Sequence, residues 1–456
     1  MYKDNEIESQ SGRVVETARR LLKGRADVYE VFFSADEGMS AESLGRRVDA
    51  LKVRFNAGAG LRVMLNGRQG FAFTNVLSED AVGAMVDTAL SASVETAEDK
   101  FLGLPSPSEP FCKGELEIFD SSYGSTSEEE RIARAVEIEA GARETSGKIT
   151  RIRKASYQES ARTTRVVNSE GVDVIRRATF FTGHVTAIAE EGAEAQMGWE
   201  IGQGHKRDSM EPYAIGRAAA LDALGKLGAR EIKTLKCPAV IEKTVVCELL
   251  EALAGSFLAD NVYKGKSMLK DRVGEKVVSG CLNILDDGTL KGGWATAPFD
   301  GEGAPSSRTP LIEKGVLSGF LYDSYWAGRL GRDSTGNATR PGYKNLPAVG
   351  VSNLYMEKAG PGVGLAGLLK RMGRGLFITE VMGVHTINSV TGDFSLGASG
   401  QWIEDGELGY PVKGIAVSGN LLGLFSNVED VADDMRFIGS IGAPSIYINE
   451  IEASGR

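Results

Sequence analysis

Leu61-Arg-Val-Met-Leu-Asn-Gly-Arg-Gln-Gly-Phe-Ala-Phe-Thr74 is the stretch whose reading decides the fold. Two apolar runs, residues 61–65 and 70–74, flank Asn66-Gly67. Both residues of an Asn-Gly pair tolerate positive φ, which a two-residue hairpin turn requires, so an antiparallel hairpin is predicted here. Working outward, residues 50–55 read as a further strand, set off by a Gly-rich turn, and residues 27–34 (Asp-Val-Tyr-Glu-Val-Phe-Phe-Ser) as another. On the far side Ser78 caps a predicted helix with the stripe Val82, Met85, Val86, Ala89 and Leu90. Upstream, residues 11–24 carry Val14, Ala18, Leu21 and Leu22 on one helical face, with Gly24 suited to end it. The first unit therefore reads as helix, antiparallel meander, helix.

Gly103-Leu-Pro-Ser-Pro-Ser-Glu-Pro110 reads as a linker, placing a sub-boundary near 103–115. A helix is predicted from near Ser127, with Glu128, Glu129 and Glu130 at the positive end of its dipole. Residues 147–203 read as long antiparallel strands with a turn at Asn168-Ser-Glu-Gly171, and a helix over 214–227 follows Pro212. The exposed run 230–236 marks a boundary near 232. The chain then divides into an N-terminal α+β domain, 1–232, and a C-terminal β-rich domain, 233–456. The second opens with a helix over 244–260, Val246, Leu249, Leu250, Leu253 and Phe257 sharing a face, and continues as short strands punctuated by glycine. The expected fold class is α+β: an N-terminal α/β part with antiparallel meanders and a C-terminal part dominated by antiparallel β-sheet.

Composition agrees. The 456 residues include 57 glycines against 13 prolines, which favours turn-rich β architecture. A net charge of −10 argues against a nucleic-acid partner, since phosphate backbones are held by Lys and Arg. The basic stretch 151–154 reads as a solvated strand face. Met1-Tyr2-Lys3-Asp4 shows no apolar signal core, and no run approaches the ~18 apolar residues of a membrane span. Cys112, Cys237, Cys247 and Cys281 have no framework spacing and read as reduced thiols, so a cytoplasmic protein without membrane contact is expected.

Candidate chemistry begins with an absence. The three histidines are His184, His205 and His385, and the nearest two stand 21 positions apart (205 − 184). A helical zinc site needs two ligands one turn apart, and no Cys-x-x-Cys substitutes for it. Gly397-Ala-Ser399-Gly400 reads as a tight glycine turn, not a nucleophile elbow. Cys247, on a helix, reads as a small buried hydrophobe. Gly360-Pro-Gly-Val-Gly364 reads as a surface loop. No catalytic or metal-ligating residue is assigned. Three segments remain: Phe299-Asp-Gly-Glu-Gly303, Ser334-Thr-Gly-Asn-Ala338 and Asn388-Ser-Val-Thr-Gly-Asp-Phe-Ser395. Two readings of them stay open. One is turn chemistry. The other is a groove for an extended peptide held by main-chain hydrogen bonds. The groove candidates are His385, Asn388, Thr391, Gly392, Asp393, Ser395, Asp300 and Glu302.

At these segments the chain resembles the TldD/PmbA family, the modulators of DNA gyrase. Carrying the resemblance are Phe299-Asp-Gly-Glu-Gly303, Leu311-Ile-Glu-Lys-Gly-Val-Leu317, Ser334-Thr-Gly-Asn337, Val390-Thr-Gly-Asp-Phe-Ser395, Ile403-Glu-Asp-Gly-Glu407, Pro411-Val412 and Ser418-Gly-Asn420, with Val167-Asn-Ser-Glu-Gly171 further upstream. The family implies an α+β fold and two branches. The TldD branch resembles a zinc peptidase with a helical His-Glu-x-x-x-His and a late cysteine. The PmbA/TldE branch lacks that motif and serves as its partner. Here the matching helix, 244–260, holds Glu248 and Glu251 but no histidine, and Ile438 aligns with the late cysteine. The resemblance thus implies a non-catalytic PmbA/TldE-like subunit with no cofactor in this chain. Zinc is expected only in a TldD-like partner. The implied associations are that metallopeptidase subunit, a homodimer when alone, and unfolded peptide substrates; the implied roles are proteolysis and maturation of peptide gyrase inhibitors. Two other readings remain open: a self-sufficient hydrolase using His385 with Asp393, and a peptide-binding regulatory module with no peptidase partner.

Overall fold

The predicted hairpin forms. Arg47–Leu65 pairs antiparallel with Arg68–Thr74, closing at Leu65 opposite Arg68, and the turn residues Asn66 and Gly67 have φ of 50° and 69°. The protein is described by a computed structural model covering residues 4–26, 28–107 and 114–455. Residues 1–3, residue 27, Cys112 and the 108–113 part of the 103–115 sub-boundary lie outside the described residues.

The strands around the hairpin are longer than their local signals. Residues 50–55 and 61–65 belong to one strand, Arg47–Leu65, that pairs with Val28–Leu44 along its length. The glycines between them do not make a turn. A Cβ at Gly58 would collide with the Tyr343 ring, and one at Gly60 with the Tyr343 carbonyl. They are bare because another part of the chain lies against the strand. The sheet continues through Ile149–Asn168, Asp173–Glu191 and Glu194–Gly204, six antiparallel strands with Arg68–Thr74 at one edge.

Helices cover one face of this sheet. Asp4–Leu22 and Glu79–Val94 pack at one end, Glu128–Thr145 and Pro212–Gly225 at the other. Val31 and Ala41, ten residues apart and so on one face, belong to the two cores beneath these pairs. The first helix starts well before residue 11 because Ile7 extends the stripe of Val14, Ala18 and Leu22. Ser78 caps as predicted, and the helix expected near Ser127 starts there, with Ser127 forming a reciprocal capping box with Glu130.

The C-terminal half holds two further six-stranded sheets, so the α+β expectation stands. In one, Leu235–Ile241 lies between Gly375–Met382 and the last strand, Ile446–Ser454. In the other, Leu282–Asp287 and Leu354–Lys358 are central, and Arg436–Ile438 forms an edge. The predicted helix over 244–260 is broken into Lys243–Ala254, a 3-10 turn at Gly255–Phe257, and Ala259–Tyr263. Gly397-Ala-Ser-Gly400 is not a tight turn; it lies inside the strand Asp393–Glu404. Gly400 is bare because a Cβ there would strike the Phe377 carbonyl of the next strand.

Candidate functional site

The helix Lys243–Ala254 is started by Glu242, whose carboxylate accepts the Thr244 N–H at 2.6 Å. Its stripe of Val246, Leu249, Leu250 and Leu253 is buried. It packs against Gly375–Met382, the 3-10 turn Val384–Thr386, Arg436–Ile438 and Ile441–Ala443. The fold therefore brings together three features that are distant in sequence: the helix carrying Glu248 and Glu251, the turn carrying His385, and the strand carrying Ile438. Glu248 is half-buried and Glu251 exposed. Burial pushes the Glu248 carboxyl up, and the charges of Glu251, Glu380 and Glu242 add to that. Among the described residues no group of three His, Cys, Asp or Glu side chains is arranged to hold a metal ion. Cys247 points inward, its thiol donating to the Arg436 carbonyl at 3.5 Å, and burial pushes it up to about 12. A thiol in that state is not a nucleophile at neutral pH. Ile438 sits at the end of a hairpin whose Gly439 is clamped by Gln203: the Gln203 amide donates to the Gly439 carbonyl at 2.7 Å and accepts its N–H at 2.8 Å. Arg436 is tied to Glu200 of the same N-terminal strand.

Residues 385–395 close on themselves. Asn388 Oδ1 accepts the N–H groups of Val390 and Thr391 at 2.9 and 3.1 Å, and its carbonyl accepts that of Gly392. Asp393 uses both oxygens locally, accepting from Asn420 Nδ2 at 3.0 Å and Thr391 Oγ1 at 2.7 Å. These donors hold the exposed Asp393 carboxyl below its ordinary range, Asn420 most strongly. His385 and Ser395 are exposed. Since both Asp393 oxygens are committed to the turn, the geometry gives no support to a His385–Asp393 pair.

Asp300 and Glu302 lie elsewhere, between the two halves. Asp300 is buried and accepts three main-chain N–H groups, from Glu302, Ala304 and Ala338, at 2.9, 3.0 and 3.0 Å. Burial and the neighbouring Glu302 charge push its carboxyl up to about 7. Glu302 is 1% exposed and accepts from Arg62 at 3.0 Å and from the Ser324 N–H at 3.1 Å. Arg62 also reaches Glu30 at 2.8 Å, and Glu30 takes Arg340 at 2.7 Å on its other oxygen. The chain Glu302–Arg62–Glu30–Arg340 thus crosses twice between the N-terminal sheet and the C-terminal half. Burial alone would raise the Glu30 carboxyl, but Arg340 and Arg62 overcome it and hold it below the ordinary value.

Beside this chain lies a cavity of about 280 Å³ between the uncovered face of the N-terminal sheet and loops of the C-terminal half. Arg162, Arg176 and Arg340 line it, with Phe180, Trp294 and Phe299 as its aromatic wall. Apart from Phe299, which lies in a segment singled out above, sequence reasoning missed these residues, along with Gln203 and Glu200. The one available signal was alternation: Arg162, Thr164, Arg176 and Ala178 are spaced to share a strand face opposite the apolar one.

Comparison with known proteins follows the whole chain. Profiles of the PmbA/TldA metallopeptidase match in order: domain 1 over residues 29–93, the central domain over 122–227, and the C-terminal domain over 234–455. The chain is 29% identical over 444 residues to the metalloprotease PmbA of Escherichia coli, covering 97% of this chain and 95% of that protein. It is 28% identical to a metalloprotease PmbA homologue of Buchnera aphidicola, covering 99% of each. A crystal structure from Thermotoga maritima, described as a modulator of a DNA gyrase, superposes with a TM-score of 0.88 at 26% identity, covering 98% of this chain and all of the other. TldE from Thermococcus kodakarensis shares the fold with a TM-score of 0.88 at 20% identity, covering 97% of this chain and 100% of that one.

Proposed function

Because the chain belongs to the PmbA/TldD metallopeptidase family, we propose that it is the PmbA/TldE-type, non-catalytic subunit of a TldD/TldE-type peptidase. The observation that carries this reading is the helix Lys243–Ala254. It offers Glu248 and Glu251 but no histidine, turns Cys247 into the core, and faces Ile438 where the other branch would present a cysteine. The three histidines do not compensate: His184 is half-buried on the strand Asp173–Glu191 of the N-terminal sheet, His205 is buried between the Thr179 and Gly293 carbonyl oxygens, and His385 is exposed on its turn. In this reading zinc belongs to a TldD-like partner subunit. The present chain completes the chamber and helps hold unfolded proteins or peptides, including precursors of peptide gyrase inhibitors. Without the partner it pairs with a second copy of itself. A cytoplasmic setting fits the free thiols of Cys237, Cys247 and Cys281, and among the described residues no helix is long and apolar enough to cross a membrane.

The test is peptide and casein cleavage by the purified chain, by a TldD-like subunit, and by their mixture. The expected result is zinc-dependent cleavage only when the TldD-like subunit is present, enhanced by this chain. Zinc-dependent cleavage by this chain alone overturns the reading.

A further inference from the structure

We propose that the cavity between the two halves is a carboxylate site that takes the charged end of a peptide on Arg176. This rests on the reading of the chain as a peptide-handling subunit and adds to it a specific chemical preference. Arg176 lies on Asp173–Glu191, on the sheet face turned toward the C-terminal half, with its guanidinium 5.5 Å from the Phe299 ring centre. Among the described residues no carboxylate stands within ion-pairing distance of it. Its neighbours are already committed: Arg162 to Asp36 at 2.5 Å, and Arg340 to Glu30 at 2.7 Å. The acid that faces it, Asp300, spends its oxygens on three main-chain N–H groups.

A second observation points the same way. Arg340 lines the same cavity, is 1% exposed, and leaves Nε and Nη1 buried without a hydrogen-bond acceptor. Buried guanidinium N–H groups without acceptors are costly to a fold. An arginine with unmet N–H groups beside a second, Arg176, that has no carboxylate partner, in a chain of net charge −10, marks a place where an anion is to arrive. The planar fork of a guanidinium matches a carboxylate with two parallel hydrogen bonds. Half-buried Phe180 and Trp294 and the side of Phe299 give the carboxylate's own residue an apolar wall. The volume, about 280 Å³, falls just below the ~300–1,000 Å³ of drug-sized ligand pockets, and accommodates an end or a single side chain, not a chain running through.

The experiment uses the full chain alone and peptides of one apolar sequence carrying an N-terminal dansyl group, which has no carboxylate, read by anisotropy. One ends in a free carboxylate after Phe, one ends in an amide, and a third is amidated but carries an internal Glu. Either carboxylate peptide is expected to bind at least about tenfold more tightly than the neutral amide, with inorganic phosphate competing. The first and third peptides tell a terminal from a side-chain source. Arg176→Gln is expected to remove that preference and Arg176→Lys to keep part of it, both with unchanged circular dichroism. Equal binding of all three peptides, or a preference that survives Arg176→Gln, overturns the proposal. Carboxylate-selective binding without any enhancement of cleavage by a TldD-like subunit would leave this site standing and overturn the subunit reading instead.

Discussion

Removing Arg62 tests the ionic connection between the halves. Arg62 is 5% exposed, Glu30 0%, Glu302 1% and Arg340 1%, so water cannot replace a lost partner. Two acids and two bases leave the group neutral. In Arg62→Met one negative charge is uncompensated, and Glu302 keeps only the Ser324 N–H. Breaking a buried pair in this way costs ~3–5 kcal/mol, a large part of an ordinary ~5–15 kcal/mol stability. With a urea dependence of about 3 kcal/mol per molar, the first unfolding midpoint should fall by roughly 1–1.7 M. Glu302→Gln leaves Arg62 with Glu30 and should cost less, ~1–3 kcal/mol. The double variant restores neutrality, so it should be more stable than the sum of the single effects predicts by about 1 kcal/mol or more. The pH dependence has a defined sign. Glu30 is held below its unfolded value of 4.5, so its contribution is present above that value and lost as pH falls through the folded one. The gap between wild type and Arg62→Met should therefore narrow in acid. An Arg62→Met midpoint within ~0.5 kcal/mol of wild type, or strict additivity in the double variant, would refute the reasoning.

Other outcomes follow from single sites. Gly392 has φ of 82°, and an added Cβ would lie 3.1 Å from Met268 Sδ and 3.2 Å from Asn420 Nδ2; Gly392→Ala should lose ~1–2 kcal/mol in thermal unfolding, and an unchanged transition would show the turn is not constrained. Burial pushes the Cys247 and Cys237 thiols up to about 12 and about 11. Both should resist iodoacetamide at pH 8 in the folded chain and react in urea, followed by mass spectrometry; rapid native labelling of Cys247 would contradict its placement. His385→Ala should leave cleavage by a mixture with a TldD-like subunit unchanged, because the Asp393 oxygens are held by Asn420 and Thr391; a large loss would restore the catalytic reading of His385.

What was legible in the sequence is what short-range chemistry decides. Asn66-Gly67 announces its hairpin, and Ser127 with Glu130 announces a helix start, because the groups that satisfy each other lie within a few residues. Strand length is not decided locally. Gly58 and Gly60 look like turn formers until Tyr343, far along the chain, is seen lying on them. The site residues divide in the same way. Asp300 and Glu302 could be picked out as acids among glycines, but Glu302 draws its meaning from Arg62 and Glu30 on the other sheet. The 388–395 segment combined turn residues that, in the structure, bond chiefly to one another and to Asn420. Arg176 carried no signal of its own, since nothing local tells an arginine awaiting an anion from one awaiting water.

The seating of Leu235–Ile241 between Gly375–Met382 and Ile446–Ser454 bears on how the protein is made. The N-terminal sheet can close on the ribosome once residue 204 has emerged, since all six of its strands are then present. The C-terminal half cannot. Its first strand waits with one edge open until residues 446–454 have been made, and an open edge of this kind is a template for the wrong neighbour. A premature stop that removes only the final strand would thus leave a finished front half joined to an unfinishable back half, and such a product is a natural client for chaperones and proteases.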